Sequence, residues 1–373
     1  MLKPSFLYEL LKSKGIGFSL GVPDSLLKDY CSYAFDNGDE LIAANEGGAV
    51  AIAAGYHLAT GEIPLVYMQN SGFGNIINPV TSLVDEEVYS IPMLLMVGWR
   101  GQPGKKDEPQ HIKQGRTMEA QLKALELPYA ILSTDEKEAG QQVDKAFKVM
   151  QENQCAYVLL VPPKTFEPYA LKSKQVKEDY SLKREEALKI LMQALKGDEV
   201  IVSTTGKTSR ELFELREKFN QGHEKDFLTV GSMGHASQIA LGIALSKPER
   251  RVLCIDGDGA VIMHMGSLAI IGEQAVNNFK HVIINNGAHE SVGGQPTAGF
   301  GIDFGCIAKG CGYKKTFRAE DADTLSNMLP EFMAAEGPVL LEIMTMTGAR
   351  KDLGRPTIAP VDNKKDFMNF LKH

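Results

Sequence analysis

Short apolar or β-branched runs recur down this chain, each separated from the next by a longer segment of helical period. That alternation constrains the fold more than any other feature. In the first half the runs fall at 15–20, 41–44, 64–69, 92–97, 129–132 and 156–161, with helices expected at 49–60, 117–126 and 137–152. A strand that returns after a helix lies parallel to its predecessor, so the pattern predicts parallel sheets covered by helices on both faces. The texture breaks after Val161. Pro162, Pro163 and Pro168 stand there among lysines and glutamates with no apolar period, which reads as a surface linker. Alternation resumes at 199–203, 227–230, 251–255, 281–284, 313–317 and 339–344. The expected class is α/β, with two doubly wound parallel-sheet domains at 1–163 and 183–373. The linker at 164–182 leaves no room for a middle domain.

The 373 residues suit two domains with substantial cores. A net charge of −7 argues against nonspecific nucleic-acid binding, since no basic field exists to neutralise phosphates. No uninterrupted apolar stretch approaches the roughly 20 residues needed to span a bilayer, and Lys3, Pro4 and Glu9 break up what would be a signal peptide's apolar region. The cysteines (Cys31, Cys155, Cys254, Cys306 and Cys311) form no Cys-x-x-Cys pair and sit mostly in apolar segments. Buried reduced thiols in a cytoplasmic protein are the expectation.

The stretch 251–286 carries the most chemistry. An apolar run ends in Gly257-Asp258-Gly259, a helical segment follows with Ala260 in its first turn, and the next run ends in Asn285-Asn286. Successive parallel strands end on one edge of a sheet, so a carboxylate and an amide oxygen are delivered to one spot. Those are hard donors, suited to Mg²⁺ or Ca²⁺ and poorly suited to zinc. The glycines let backbone N–H groups approach a phosphate at a helix N-terminus. Two further turns fit such a site: Gly231-Ser232-Met233-Gly234, and Thr204-Thr205-Gly206-Lys207-Thr208-Ser209. The latter superficially resembles a P-loop, but Ile201 stands where that motif needs glycine. A dinucleotide-binding reading fails because no Gly-x-Gly-x-x-Gly follows the first strand. In the first half, Glu46 lies between an apolar strand and a small-residue helix, a costly place for a carboxylate without a task.

This pattern resembles the thiamine-diphosphate-dependent 2-oxo-acid decarboxylases over essentially the whole chain, with a pyrimidine-type domain followed by a diphosphate-type domain. The resemblance implies thiamine diphosphate with Mg²⁺, or Ca²⁺ or Mn²⁺ in its place. Asp258, Asn286 and the Ala288 carbonyl would hold the metal. Gly206, Lys207, Thr208, Gly257, Gly259 and Ala260 would line the diphosphate, and Gly231 and Met233 would seat the ring system. Glu46 would activate the cofactor, with Asp24 and His111 handling protons around the product. It further implies at least a homodimer with active sites between subunits. Carboligating relatives normally carry the middle domain missing here, and a nonenzymatic nucleotide-binding module would have no need of Glu46.

For the substrate, five basic residues crowd 99–116, namely Arg100, Lys105, Lys106, Lys113 and Arg116. A small 2-oxo acid with a second, remote anion needs such partners, and Ser25, Asn70, Arg100, Lys105 and Arg116 are the candidate contacts. A second basic loop, 348–356, could cover the site. The wording of 98–111 and 284–297 is similar to phosphonopyruvate decarboxylases, whose close relatives act on sulfopyruvate. Fusion of both domains in one chain favours the phosphonate, and with it a place in phosphonate biosynthesis. Charge alone does not separate the two substrates.

Overall fold

The computed structural model describes residues 1–38, 40–173 and 180–372. The chain divides into two compact units, 1–175 with 291–295 and 176–290 with 296–373. The centre of the expected linker, 174–179, lies outside the described residues.

The first unit contains strands β1 (Ser19–Gly21), β2 (Glu40–Ile42), β3 (Leu65–Gln69), β4 (Met93–Gly98), β5 (Tyr129–Ile131) and β6 (Ala156–Val161), all parallel, in the order β2-β1-β3-β4-β6-β5. The second contains β7 (Val200–Ser203), β8 (Asp226–Leu228), β9 (Val252–Gly257), β10 (Phe279–Asn285), β11 (Lys315–Ala319) and β12 (Val339–Met344), in the order β11-β12-β10-β9-β7-β8. Counted from its own first strand, each sheet has the same order. Helices cover both faces. In β4, Leu94 and Met96 enter one core while Met93, Leu95 and Val97 enter the other, the period of two that a strand buried on both sides requires.

Local signals set the helix ends that matter for the site. The helix Glu46–Thr60 is capped by Asn45, whose side chain accepts from Gly48 N at 2.8 Å, and closed by Gly61 at φ 75°. The helix Pro109–Ala124 starts well before the expected 117, because Pro109 supplies a ready first turn. His111 therefore sits on a helix and not in a loop. The first strand is also shorter and later than expected. The helix Pro4–Ser13 ends against Lys14, and Gly15 at φ 93° turns the chain before Ser19.

The thiols are all free, as expected, but their burial is less uniform. Cys31 and Cys254 are buried, Cys155 and Cys311 half-buried, and Cys306 exposed. Among the described residues no helix is long and apolar enough to cross a membrane.

Candidate active site

In each unit the polar residues gather where the central strands end. The register pairs Gln69 of β3 with Gly98 of β4, and Gly257 of β9 with Ile284 of β10. The segments that follow these strands, 69–72 beside 98–101 and 257–259 beside 285–286, are thus neighbours at the carboxyl edge.

In the first unit Glu46 is buried at the head of its helix. Its Oε2 accepts from Asn75 Nδ2 at 2.7 Å. A Cβ at Gly72 would overlap the Glu46 carboxylate, so this position requires glycine. Asp24 is fully buried, its Oδ1 accepting from Gln69 Nε2 and its Oδ2 from Leu26 N at 3.0 Å. Burial raises the Asp24 carboxyl above the ordinary aspartate range despite the opposing pull of Gln69, Leu26 and Arg100. His111 is half-buried with no partner at Nδ1, and burial, seconded by the Arg100 charge, lowers its imidazole to about 4.

The structure links Asp24, Ser25, Asn70 and Arg100 in one network. Arg100 Nη1 donates to Ser25 Oγ at 2.7 Å, and Ser25 Oγ reaches Asp24 Oδ1 at 3.4 Å. The Asn70 amide holds the Arg100 backbone, donating to its carbonyl at 2.8 Å and accepting from its N–H at 3.1 Å. The Arg100 guanidinium itself is gripped by Asp107, Nε to Oδ2 at 2.8 Å with Nη2 on the other oxygen. Lys105 and Arg116 are exposed, and among the described residues no hydrogen bond or ion pair joins them to this network. Gly72, Asn75, Gln69 and Asp107 belong to the site beyond the residues expected there. Gln69 and Gly72 were marked by the polar run 69–72 at a strand end, whereas Asn75 carried no signal of its own.

In the second unit Asp258 opens the helix Asp258–Met263 and is buried, accepting from the Thr297 hydroxyl. Burial lifts its carboxyl to about 6, although Thr297 and backbone N–H groups, including that of Gly259, pull it down. Gly299 is confined by the same cluster. A Cβ there would collide with the Asp258 carboxylate and come within 2.6 Å of Asn285 Oδ1. The two asparagines differ in role. Asn285 is consumed by the fold, donating to Gly299 O at 2.8 Å and Glu342 Oε1 at 2.7 Å while accepting from Gly287 N at 3.1 Å. Among the described residues, Asn286 Oδ1 accepts from Ala288 N alone, at 3.1 Å. Ala288 is buried beside it, and burial lowers the imidazole of the following His289 to about 4.

The remaining candidates converge on this edge. Gly206, at φ 92°, precedes the helix Lys207–Lys218, with Thr208 buried in its first turn. Lys207 Nζ pairs with Glu290 Oε1 at 2.7 Å. The turn carrying Gly231 and Met233 ends at Gly234, φ 84°, where a Cβ would stand 3.0 Å from the Ala260 carbonyl. It therefore lies against the residues just past Asp258. The loop 348–356 is fastened down: Arg350 Nε reaches Glu185 Oε2 at 2.7 Å, and Arg210 Nε donates to the Gly354 carbonyl at 2.5 Å.

These residues fit a divalent cation carrying a diphosphate. The donors are hard oxygens (the Asp258 carboxylate, the Asn286 amide, a backbone carbonyl at Ala288), and glycines keep the surrounding backbone open.

Comparison with known proteins agrees. The family model for the thiamine pyrophosphate enzyme N-terminal TPP binding domain matches 5–123, and that for the C-terminal TPP binding domain matches 205–343. Phosphonopyruvate decarboxylase of Streptomyces viridochromogenes is 34% identical, over 97% of this chain and 93% of that protein. The enzyme of the same name from Streptomyces hygroscopicus is 32% identical, over 99% and 94%. Sulfopyruvate decarboxylase of Methanosarcina acetivorans is 27% identical, over 97% and 96%.

Proposed function

Since the chain belongs to the phosphonopyruvate decarboxylase family of thiamine pyrophosphate enzymes, we propose that it converts 3-phosphonopyruvate to phosphonoacetaldehyde and carbon dioxide. The observation that carries this reading is the buried Glu46 in the first unit together with the oxygen-donor edge of the second, in a chain similar to phosphonopyruvate decarboxylases along nearly its whole length. The single-chain sulfopyruvate enzyme removes the force of the fusion argument, so the preference for the phosphonate rests on the greater identity to the phosphonopyruvate enzymes.

Thiamine diphosphate, when bound, supplies the electron sink that lets carbon dioxide leave. Asp258, Asn286 and the Ala288 carbonyl would hold Mg²⁺, and the Gly206–Thr208 turn would offer backbone N–H groups to the diphosphate. Glu46 has Oε2 occupied by Asn75, which leaves Oε1 to hold and pass a proton. Asp24 is the better acid of the remaining pair, because burial strengthens its hold on a proton, whereas His111 stays neutral above about pH 4. Arg100 keeps Asp24 and Ser25 in place. Asp107 already holds Nε and Nη2 of Arg100 and Ser25 holds Nη1, so its part in substrate binding falls to the second N–H of each Nη.

A dimer follows from the same reading. The helix Glu46–Thr60 exposes Ile52 and Leu58, and Ile77 is exposed beyond it, an apolar surface that a second copy would cover. Cytoplasmic location and a role in phosphonate synthesis complete the proposal.

Aldehyde release from phosphonopyruvate, sulfopyruvate and pyruvate tests it, at equal concentration and with Mg²⁺, with and without added thiamine diphosphate. Cofactor-dependent turnover fastest on phosphonopyruvate is expected. A preference for sulfopyruvate would keep the chemistry and replace the substrate.

A further inference from the structure

We infer that Glu290 is the positioning residue that sets which face of the Asn286 amide meets the metal. This inference rests on the cofactor reading above. Its carboxylate is the hub of a charge cluster within the second unit. Oε1 accepts from Lys207 Nζ at 2.7 Å, and Oε2 accepts from Arg184 Nη1 at 2.6 Å and Asn286 Nδ2 at 3.0 Å. Arg184 in turn holds Glu211 with Nε and Nη2, at 2.7 and 2.8 Å. Two cations and two carboxylates thus balance with little exposure, Arg184 and Glu211 having side chains 5% and 1% accessible and Glu290 12%.

The consequence lies in the chemistry of an amide. Its oxygen and nitrogen ends are nearly the same size, so shape does not decide which end faces a ligand. A carboxylate only accepts, so Glu290 obliges Asn286 to turn its NH₂ inward. The oxygen then faces the other way, where it takes the Ala288 N–H at 3.1 Å and keeps a second lone pair for a cation. An amide turned over would present N–H groups to the metal and bind nothing. The same carboxylate ties the metal loop to the Gly206–Thr208 turn through Lys207, so the two elements expected to face the diphosphate share one support. Neither Arg184 nor Glu290 stood out in the sequence, since one lies at the start of a helix and the other past the paired asparagines.

The test uses the full-length protein. Thiamine diphosphate binding is measured by calorimetry over a Mg²⁺ series, and Mn²⁺ binding in the presence of the cofactor by electron paramagnetic resonance. Glu290→Gln can either donate or accept and leaves the Ala288 N–H alone to orient the amide, so metal affinity should fall about 10–100-fold, the range for groups that orient a ligand. The melting temperature without cofactor should fall as well, because Lys207 and Arg184 lose a shared carboxylate while Arg184 keeps Glu211, so the metal-affinity readout and not the melting temperature carries the test. Asn286→Asp separates positioning from mere support. A carboxylate shows an oxygen in either orientation, so over Asn286→Asp the Glu290→Gln change should cost less than about threefold. Glu290→Asp retains the charge and the fold but falls a methylene short of Asn286. Its smaller loss should likewise vanish over Asn286→Asp, which keeps the test decisive if the Gln variant does not fold. Equal metal affinity in wild type and Glu290→Gln overturns the inference, as does a full loss that persists in the Asn286→Asp background. Wild-type protein that binds no cofactor in any metal would instead overturn the reading on which the inference stands.

Discussion

The two units share one strand order and put their polar residues at the same edge, yet differ in how Glu46 and Asp24 in the one and Glu290 in the other are held. In the first unit Glu46 and Asp24 are buried acids held by neutral amides, from Asn75 and Gln69, and His111 has no partner at Nδ1. Each can gain or lose a proton without breaking an ion pair. In the second, Glu290 is matched by Arg184 and Lys207, and Asn285 is fully bonded, so the edge is braced. Proton traffic calls for groups with little holding them in one charge state. Holding an ion calls for donors already oriented before it arrives. One architecture serves both because the strand ends fix position, while the side chains after them fix chemistry.

The sharpest way to break this contrast is to exchange the losses. Glu46→Gln should lower turnover about 10²–10⁴-fold, the range for a positioned acid or base, with cofactor affinity measured by calorimetry nearly unchanged. Asp258→Asn should do the reverse in order of events, weakening metal-dependent cofactor binding by at least about 100-fold, beyond the loss usual for outer supports. If Glu46→Gln abolished binding and left residual turnover per bound cofactor intact, the division of labour would be wrong.

Mixing the two inactive proteins under conditions that exchange subunits sharpens it further. If each site takes the first unit of one copy and the second unit of another, half of the dimers are mixed and carry one intact site. Activity should then recover to roughly a quarter of wild type. No recovery, with mixed dimers present, would put both halves of the site in one chain.

Smaller effects come from the paired glycines. Gly72→Ala should push the Glu46 carboxylate aside and reduce turnover about tenfold, at about 1–3 kcal/mol of stability. Gly299→Ala, crowding Asp258, should show its loss in cofactor binding instead.

The smallest effect is on stability against pH. His111 in the folded protein titrates near 4, against the ordinary 6.5. The unfolded chain therefore binds the extra proton first, and stability is lost as pH falls from 6.5 toward 4. His111→Gln should flatten that part of a melting-temperature profile by a degree or two at most, because the ring is partly exposed. An unchanged slope would mean that the imidazole titrates normally.

Most of the architecture was legible in advance. The apolar runs overlapped every strand in both sheets, most clearly β4, β6, β10 and β12, because strands buried on two faces leave little choice but Val, Ile, Leu and small residues. Gly257-Asp258-Gly259 and Asn285-Asn286 stood out for the same kind of reason: each interrupts such a run with residues a strand end does not otherwise need. Misreadings came where local pattern competes with a turn. The helix at Pro109 carries Lys and Gln on its exposed face and Gly115 within, and it has no early apolar stripe to announce it. Gly115 is small because the helix packs on the loop before it, where Trp99 Nε1 donates to the Gly115 carbonyl at 2.8 Å.

By itself, then, the sequence determined the two sheets, the edge on which chemistry would collect, and the residues at the ends of β3, β4, β9 and β10, since all of these follow from period and from interruptions of period. Only the tertiary structure decided the partners. Arg100 was expected on the substrate and Lys207 on the diphosphate, with no sign in the sequence that Asp107 holds the one and Glu290 the other, and Arg184 was invisible until the fold brought it to both Glu211 and Glu290. A charge's availability depends on what is folded against it, and that is a distance in space that no spacing along the chain records.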